Sequence, residues 1–168
     1  MSDLQGQSTT GYGPPPGQQQ QPPAQQYSGS GPSGPRAGFW RRVAALLIDS
    51  IVVGIGEVIL IAILSKSVGV AYVLTTLLSW GYYTYFEGGA RGQTVGGMAL
   101  GIRVIDLDGG GPIGYGRGFV RQLVKIISGL VFGLGYLLML WDREKQTWQD
   151  HAVNSVVVPV SAYPIPTT

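Results

Sequence analysis

Apolar and polar positions divide the chain into a polar first fifth and a remainder dominated by long apolar runs. Val43 to Leu64 is apolar for about 22 residues, interrupted only by Asp49, Ser50 and Glu57. Val68 to Phe86 adds about 19 residues without a charge. At about 1.5 Å per residue, each run is long enough as a helix to cross a hydrocarbon core of about 30 Å. Only Ser65–Ser67 separates them, so the two helices are expected to be antiparallel neighbours. A third run, Ile126 to Trp141, is about 16 residues long. It either spans or folds back as a re-entrant hairpin broken at Gly133–Leu134–Gly135, because irregular backbone at that depth is tolerated where protein covers it. Two short stretches read as strands, Ile102–Leu107 and Val153–Pro159. Their pairing requires both on one side of a membrane, which the hairpin allows and a third span does not.

The expected fold is therefore an all-α membrane protein, a small transmembrane helical bundle preceded by a disordered tail. Met1 to Ala37 is rich in Pro, Gly, Gln and Ser and lacks apolar periodicity. Such a segment buries too little apolar surface to offset its ordering entropy. It reads as a spacer or as a ligand for a Pro-recognising partner. No basic stretch followed by an apolar run opens the chain, so no secretory signal is expected there.

Composition narrows the chemistry. Charged residues are 12% of the 168, about half the usual share of about 25%. There is no cysteine and one histidine, which leaves no thiolate or multi-His metal site. The net charge of +2 is too small to suggest a nucleic-acid partner. Asp150–His151 lacks a nucleophile, the Gly-rich stretches lack a P-loop pattern, and Asp106–Asp108 reads as a turn. No enzyme, metal or cofactor is expected. Arg36, Arg41 and Arg42 precede the first run, and Arg91, Arg103 and Arg117 lie in the second link, whereas the first link holds Lys66 alone. By the positive-inside rule the N-terminus and the Glu87–Gly118 link face the cytoplasm. A multi-pass protein of a bacterial inner membrane is expected.

The residues that lipid makes costly are the candidate site. Asp49 lies seven residues after Arg42, about 10 Å along the helix and within about 20° of it. Glu57 is about 80° round from Asp49. A carboxylate at mid-membrane must be paired, protonated or turned toward protein. Arg42 and Asp49 are read as a charged centre for a cation or proton, with Glu57 on the access path; a purely structural role in helix packing is the alternative. Tyr72, Thr76, Ser79 and Tyr83 share one face of the second helix, as packing contacts or as hydroxyls coordinating a cation or bonding Asp49. Arg117, Arg121 and Lys125 repeat every four residues and are expected to snorkel to lipid headgroups, or in the case of Arg121 or Lys125 to neutralise a core acid. Gly129 and Gly133 form a G-x-x-x-G pattern open to helix pairing between copies.

Three stretches in order resemble the RDD family, named for one Arg and two Asp: GFWRRVAALLID (Gly38–Asp49), GQTVGGMALGIRVIDLDGG (Gly92–Gly110) and WDREKQTWQDHAVNSVVV (Trp141–Val158). By position the Arg is Arg42 and the Asp residues are Asp49 and Asp150; Gly97 stands where the family often has Lys. The tail resembles those of actinobacterial proline-rich antigens. The resemblance implies an RDD-type transmembrane domain over 38–160, between a tail at 1–37 and a short C-terminal tail at 161–168. It also implies a transport role. The function expected is a transport or cation/proton-exchange subunit with Asp150 at the mouth of the pathway, in a homo-oligomer or with other membrane proteins, in the lipid bilayer. A non-catalytic scaffold recruiting partners through the Pro/Gln tail is the alternative.

Overall fold

A computed structural model describes residues 34–165 other than 132. The expectations of a disordered tail and of a Pro-recognising partner concern residues 1–33 and lie outside the described residues. The order is α1 (Phe39–Ile63), α2 (Val68–Gly88), α3 (Val95–Ala99), β1 (Ile102–Asp106), α4 (Gly114–Leu130), α5 (Leu134–Leu137), a 3-10 turn (Leu138–Leu140), α6 (Trp148–Ala152) and β2 (Ser155–Pro159).

The two apolar runs form α1 and α2 as expected. α1 buries Ala45, Asp49 and Val53, one position per turn. Its other faces leave Ile51, Ile55 and Val58 about 60% exposed or more. Among the described residues α1 is the one unbroken helix long and apolar enough to cross a membrane. α2 has the length, 21 residues, but its Gly, Ser, Thr and Tyr content dilutes its apolarity. α2 and α4 approach closely at Gly88, where a Cβ would lie 2.7 Å from the Tyr115 Cα, and at Gly118, where one would lie 3.0 Å from the Thr84 carbonyl oxygen.

The third run is not one straight helix. α4 stops at Leu130, and the chain from Leu134 to Leu140 leaves at 109° to it. Gly133 makes the bend with φ +74°, a left-handed conformation that costs glycine little, and its N–H reaches back to the Ser128 carbonyl at 2.8 Å. The G-x-x-x-G pattern does not lie on one helix: Gly129 is in α4, and Gly133 lies beyond its end.

The all-α expectation is also corrected. β1 and β2 pair antiparallel, with Ile102 opposite Pro159, Val104 opposite Val157 and Asp106 opposite Ser155. This is the pairing expected of the two strand-like stretches. Both outer edges are covered: the Val104 N–H donates to Gly92 O at 2.7 Å, and the Ala37 N–H to Val157 O at 2.9 Å. Residues 34–37, assigned to the tail by composition, are thus held against the sheet. Ala37 is buried, and Arg36 ion-pairs with Glu144. Tyr163, assigned to the C-terminal tail, packs with Ile105, Val156 and Val158.

α3 is pressed onto α1 at Gly96, where a Cβ would stand 2.0 Å from the Ala45 carbonyl oxygen. Gly96→Ala is expected to force the two elements apart and to destabilise the protein by about 1–3 kcal/mol. Unfolding in detergent measures this; Gly54→Ala, where nothing lies within 4 Å, is the control without that loss.

Candidate functional site

Five ionised side chains from four helices form a chain of alternating sign at the end of the bundle that meets the sheet. Its centre is Asp150, fully buried on α6. Thr147 begins α6 with a capping box; its N–H and Oγ1 both donate to Asp150 Oδ2, at 3.0 and 2.8 Å. Arg42 Nη1 donates to the same oxygen at 2.7 Å. Arg121 Nη1 donates to Oδ1 and to Ser155 Oγ. Arg121 Nε continues to Glu87 Oε2 at 3.0 Å, and Lys125 Nζ ion-pairs with Glu87 Oε1. Lys125 also sits 4.6 Å from the centre of the Tyr83 ring, a cation–π contact.

Burial alone would push the Asp150 carboxyl up. The Arg121 and Arg42 guanidiniums and the Thr147 N–H outweigh it and hold the group well below the usual carboxylate range.

Asp49 stands apart from this chain. Its Oδ1 accepts from Tyr82 Oη and the Gly96 N–H, and its Oδ2 from Thr94 Oγ1, each at 2.7 Å. Each hydroxyl has a second tie: Tyr82 Oη accepts from the Val95 N–H at 3.0 Å, and Thr94 Oγ1 from the Gly97 N–H at 3.0 Å as the N-cap of α3. Among the described residues no Lys or Arg ion-pairs with Asp49.

The expected Arg42–Asp49 pair is therefore corrected. Helical side chains tilt toward the N-terminus of their helix. Arg42 accordingly reaches back, away from Asp49, to Ala37 O at 3.3 Å, Lys145 O at 2.7 Å and Asp150. The RDD-type Arg meets the second Asp, not the first. Both groups of charges front one cavity of about 350 Å³, whose lining includes Asp49, Arg42, Glu87, Arg103, Arg121 and Lys125.

The remaining candidates scatter. Glu57 accepts a hydrogen bond from Ser79 Oγ and does not line the cavity. The Tyr72–Thr76–Ser79–Tyr83 stripe does not act together. Tyr72 is exposed, Thr76 Oγ1 bonds back to Tyr72 O at 2.8 Å, Ser79 serves Glu57, and Tyr83 underlies Lys125. In the basic stripe Arg117, still partly exposed, pairs with Asp106 at 2.6 Å. The headgroup placement does not hold for Arg121 and Lys125, which are drawn inward by Glu87 and Asp150. This is the neutralised core acid that the stripe also suggested. Glu87, Tyr82 and Thr94 were missed. Glu87 closes an aromatic run and reads as an interfacial residue; its signal was the cationic pair Arg121 and Lys125 in need of a carboxylate.

A model of the RDD family matches residues 36–154. The proline-rich antigen of Mycobacterium leprae is 34% identical over 86 residues, 51% of this chain and 34% of that protein. A proline-rich antigen homolog of Mycobacterium tuberculosis is 34% identical over 92 residues, 55% of this chain and 35% of that protein. The chain thus matches about a third of the length of these relatives. An uncharacterized protein of Bacillus subtilis, YxaI, is 25% identical over 134 residues, 65% of this chain and 88% of that protein. No solved structure matches the chain.

Arg121→Met leaves Asp150 and Glu87 each short of a buried cation and is expected to cost about 3–5 kcal/mol. Folding stability of the wild type carries a matching pH signature. Because the folded Asp150 carboxyl lies below its unfolded value of 3.8, its contribution is complete above that value and is lost as pH falls below it. Acid unfolding followed by circular dichroism is expected to be steep in the wild type and shallower in Arg121→Met.

Proposed function

The chain belongs to the RDD family, and from that membership we propose that it is a multi-pass subunit of a bacterial cell membrane that exchanges a monovalent cation for protons at Asp49. The observation that carries this reading is the environment of Asp49: a carboxylate 3% exposed, facing the cavity and held by neutral donors alone among the described residues. Two of those donors are hydroxyls, which turn from donating a proton to offering a lone pair. A carboxylate with hydroxyl oxygens is a hard donor set suited to alkali or alkaline-earth cations. Exchange there strands no counter-charge. Protonation of Glu87 or Asp150, by contrast, leaves a buried guanidinium or ammonium unpaired. The alternating charge chain is therefore the fixed frame, and Asp49 is the exchanging group.

The membrane arrangement follows from two supports. Large apolar side chains of α1 and α2 face outward while ionised ones face inward, the reverse of a water-soluble helical domain. The β1–β2 pairing, Arg36–Glu144 and Arg42–Asp150 tie the start of α1, the link after α2 and the C-terminal segment to one another. One face then carries all three, with α1 and α2 crossing as a hairpin and α4 to Leu140 folding back without crossing. Two crossings do not enclose a pathway, so the exchanging unit is an assembly of copies or includes another membrane protein.

Two measurements test the reading. In liposomes carrying the purified protein, a sodium or potassium gradient is expected to drive pH change in the lumen, and Asp49→Asn to reduce it at least about tenfold. Equal flux in a folded Asp49→Asn protein removes Asp49 from the mechanism. For the arrangement, single cysteines at Ser67 and Ser161, both exposed, are expected to react with impermeant maleimide from opposite sides of the membrane. Reaction from the same side overturns the re-entrant placement.

A further inference from the structure

The end of the molecule that holds the sheet carries cations outside the buried charge chain. Arg41, Arg143 and Lys145 are exposed, and among the described residues none of their side chains ion-pairs. Contacts between two segments far apart in the chain bring them together. Arg36, in the lead-in to α1, pairs with Glu144, which lies between Arg143 and Lys145. Arg42, next to Arg41, donates from Nη2 to Lys145 O at 2.7 Å. Asp142 holds the second segment in shape: its Oδ2 accepts from the Glu144 and Gln146 N–H groups at 3.0 and 2.9 Å. The nearby acids are already engaged, Glu144 by Arg36 and Asp142 by those N–H groups and His151. A tryptophan accompanies each segment. Trp40 begins α1 and Trp141 follows the bent segment; at 79% and 77% exposed they are among the barest large apolar side chains of the described residues. An indole is apolar in body and polar at its N–H, and is suited to the level where acyl chains meet headgroups.

We propose that Trp40, Arg41, Trp141, Arg143 and Lys145 form a docking surface for the headgroups of anionic phospholipid. The inference rests on the membrane arrangement proposed above, in which α1 and the C-terminal segment meet on one face of the bilayer. Charge complementarity selects the lipid: three unpaired cations favour a headgroup with net negative charge over a zwitterionic one. Lys145 O holds Arg42, and Arg42 holds Asp150. A headgroup on this turn therefore bears on the junction that ties α1 to α6.

The test is native mass spectrometry of the full chain released from vesicles of equimolar phosphatidylglycerol and phosphatidylcholine. One basic side chain near an anionic surface favours it about fivefold, so the wild type is expected to retain phosphatidylglycerol over phosphatidylcholine by at least that factor. The preference is expected to shrink as ionic strength rises. Arg41→Gln/Arg143→Gln/Lys145→Gln is expected to bring the ratio to within about twofold of parity. Lys66→Gln, in the exposed link at the other end of α1, is expected to leave it unchanged. A wild-type ratio near parity, or an equal loss in Lys66→Gln, overturns the proposal. Dimers that retain no lipid and dissociate in the triple variant assign the surface to a second copy and overturn it as well. Should the triple variant not fold, Arg143→Gln alone decides, with the ratio expected to fall about twofold or more. Protein that associates with neither lipid overturns the membrane arrangement itself, a result distinct from equal retention of both.

Discussion

The constraint from which the rest of the structure follows is the position of Arg121 between two buried carboxylates. Its guanidinium meets Asp150 with one nitrogen and Glu87 with another, joining α4 to α6 and to α2. A planar fork with several fixed donors does this where a lysine would not. Arg42 on Asp150 and Lys125 on Glu87 complete the alternation, so each carboxylate lies between two cations. Burying five charges is expensive, and the mutual attraction repays it only when nearly every donor and acceptor is used. Thr147, Ser155 and Gln122 supply the additional bonds. The capping box of α6 is thereby fixed by the same carboxylate that holds α1 in place, and the start of β2 by the Arg121 guanidinium.

With the polar contacts gathered at that end, α1 and α2 are free to present aliphatic side chains outward along most of their length. Only Ala45, Asp49 and Val53 of α1 are buried. Specificity between the helices comes from small residues and from single hydrogen bonds, Ser79 to Glu57 and Tyr82 to Asp49. In the proposed membrane arrangement these are the interactions that remain useful, because the surrounding solvent is as apolar as the side chains. The sheet plays the complementary part. It carries the buried apolar clusters, Ile102, Val104 and Val157 in one and Ile105, Val156, Val158 and Tyr163 in the other, and it joins the link after α2 to the C-terminal segment.

Much of this was legible in the sequence, for physical reasons that can be named. α1 and α2 are long apolar runs uninterrupted by proline, and both form helices. The β1–β2 pairing could be read from two short strand-like stretches, and the bend at Gly133 from a pair of glycines inside an apolar run. Partner assignment was the harder problem. Arg42 and Asp49 share a helix face at a spacing that looks like a pair, and side-chain direction breaks it: Arg42 points toward the helix start, where a residue 108 positions later in the chain is waiting. Glu87 was obscured by the aromatic residues before it. The stripe of hydroxyls on α2 has the right period, but the residue that reaches Asp49 is Tyr82, one position from the stripe and turned toward α3.

The difference between the two buried Asp residues explains how one small domain can be rigid and still offer a changeable site. Asp150 accepts from two guanidiniums, a hydroxyl and a backbone N–H, and losing its charge would leave Arg42 without a carboxylate and Arg121 with Glu87 alone. Asp49 accepts from two hydroxyls and one N–H, and losing its charge would leave no opposing ion behind. At similar burial, 0% and 3% exposed, the two carboxylates thus differ in what a loss of charge would strand, because the donors to Asp150 include two cations and those to Asp49 are neutral. Thr94 and Gly96 place those neutral donors by the tight approach of α3 to α1, and the charges of the Arg121 chain tie the surrounding helices together. In the proposed exchange, such a frame of paired ions would let Asp49 change state while the fold that holds it does not.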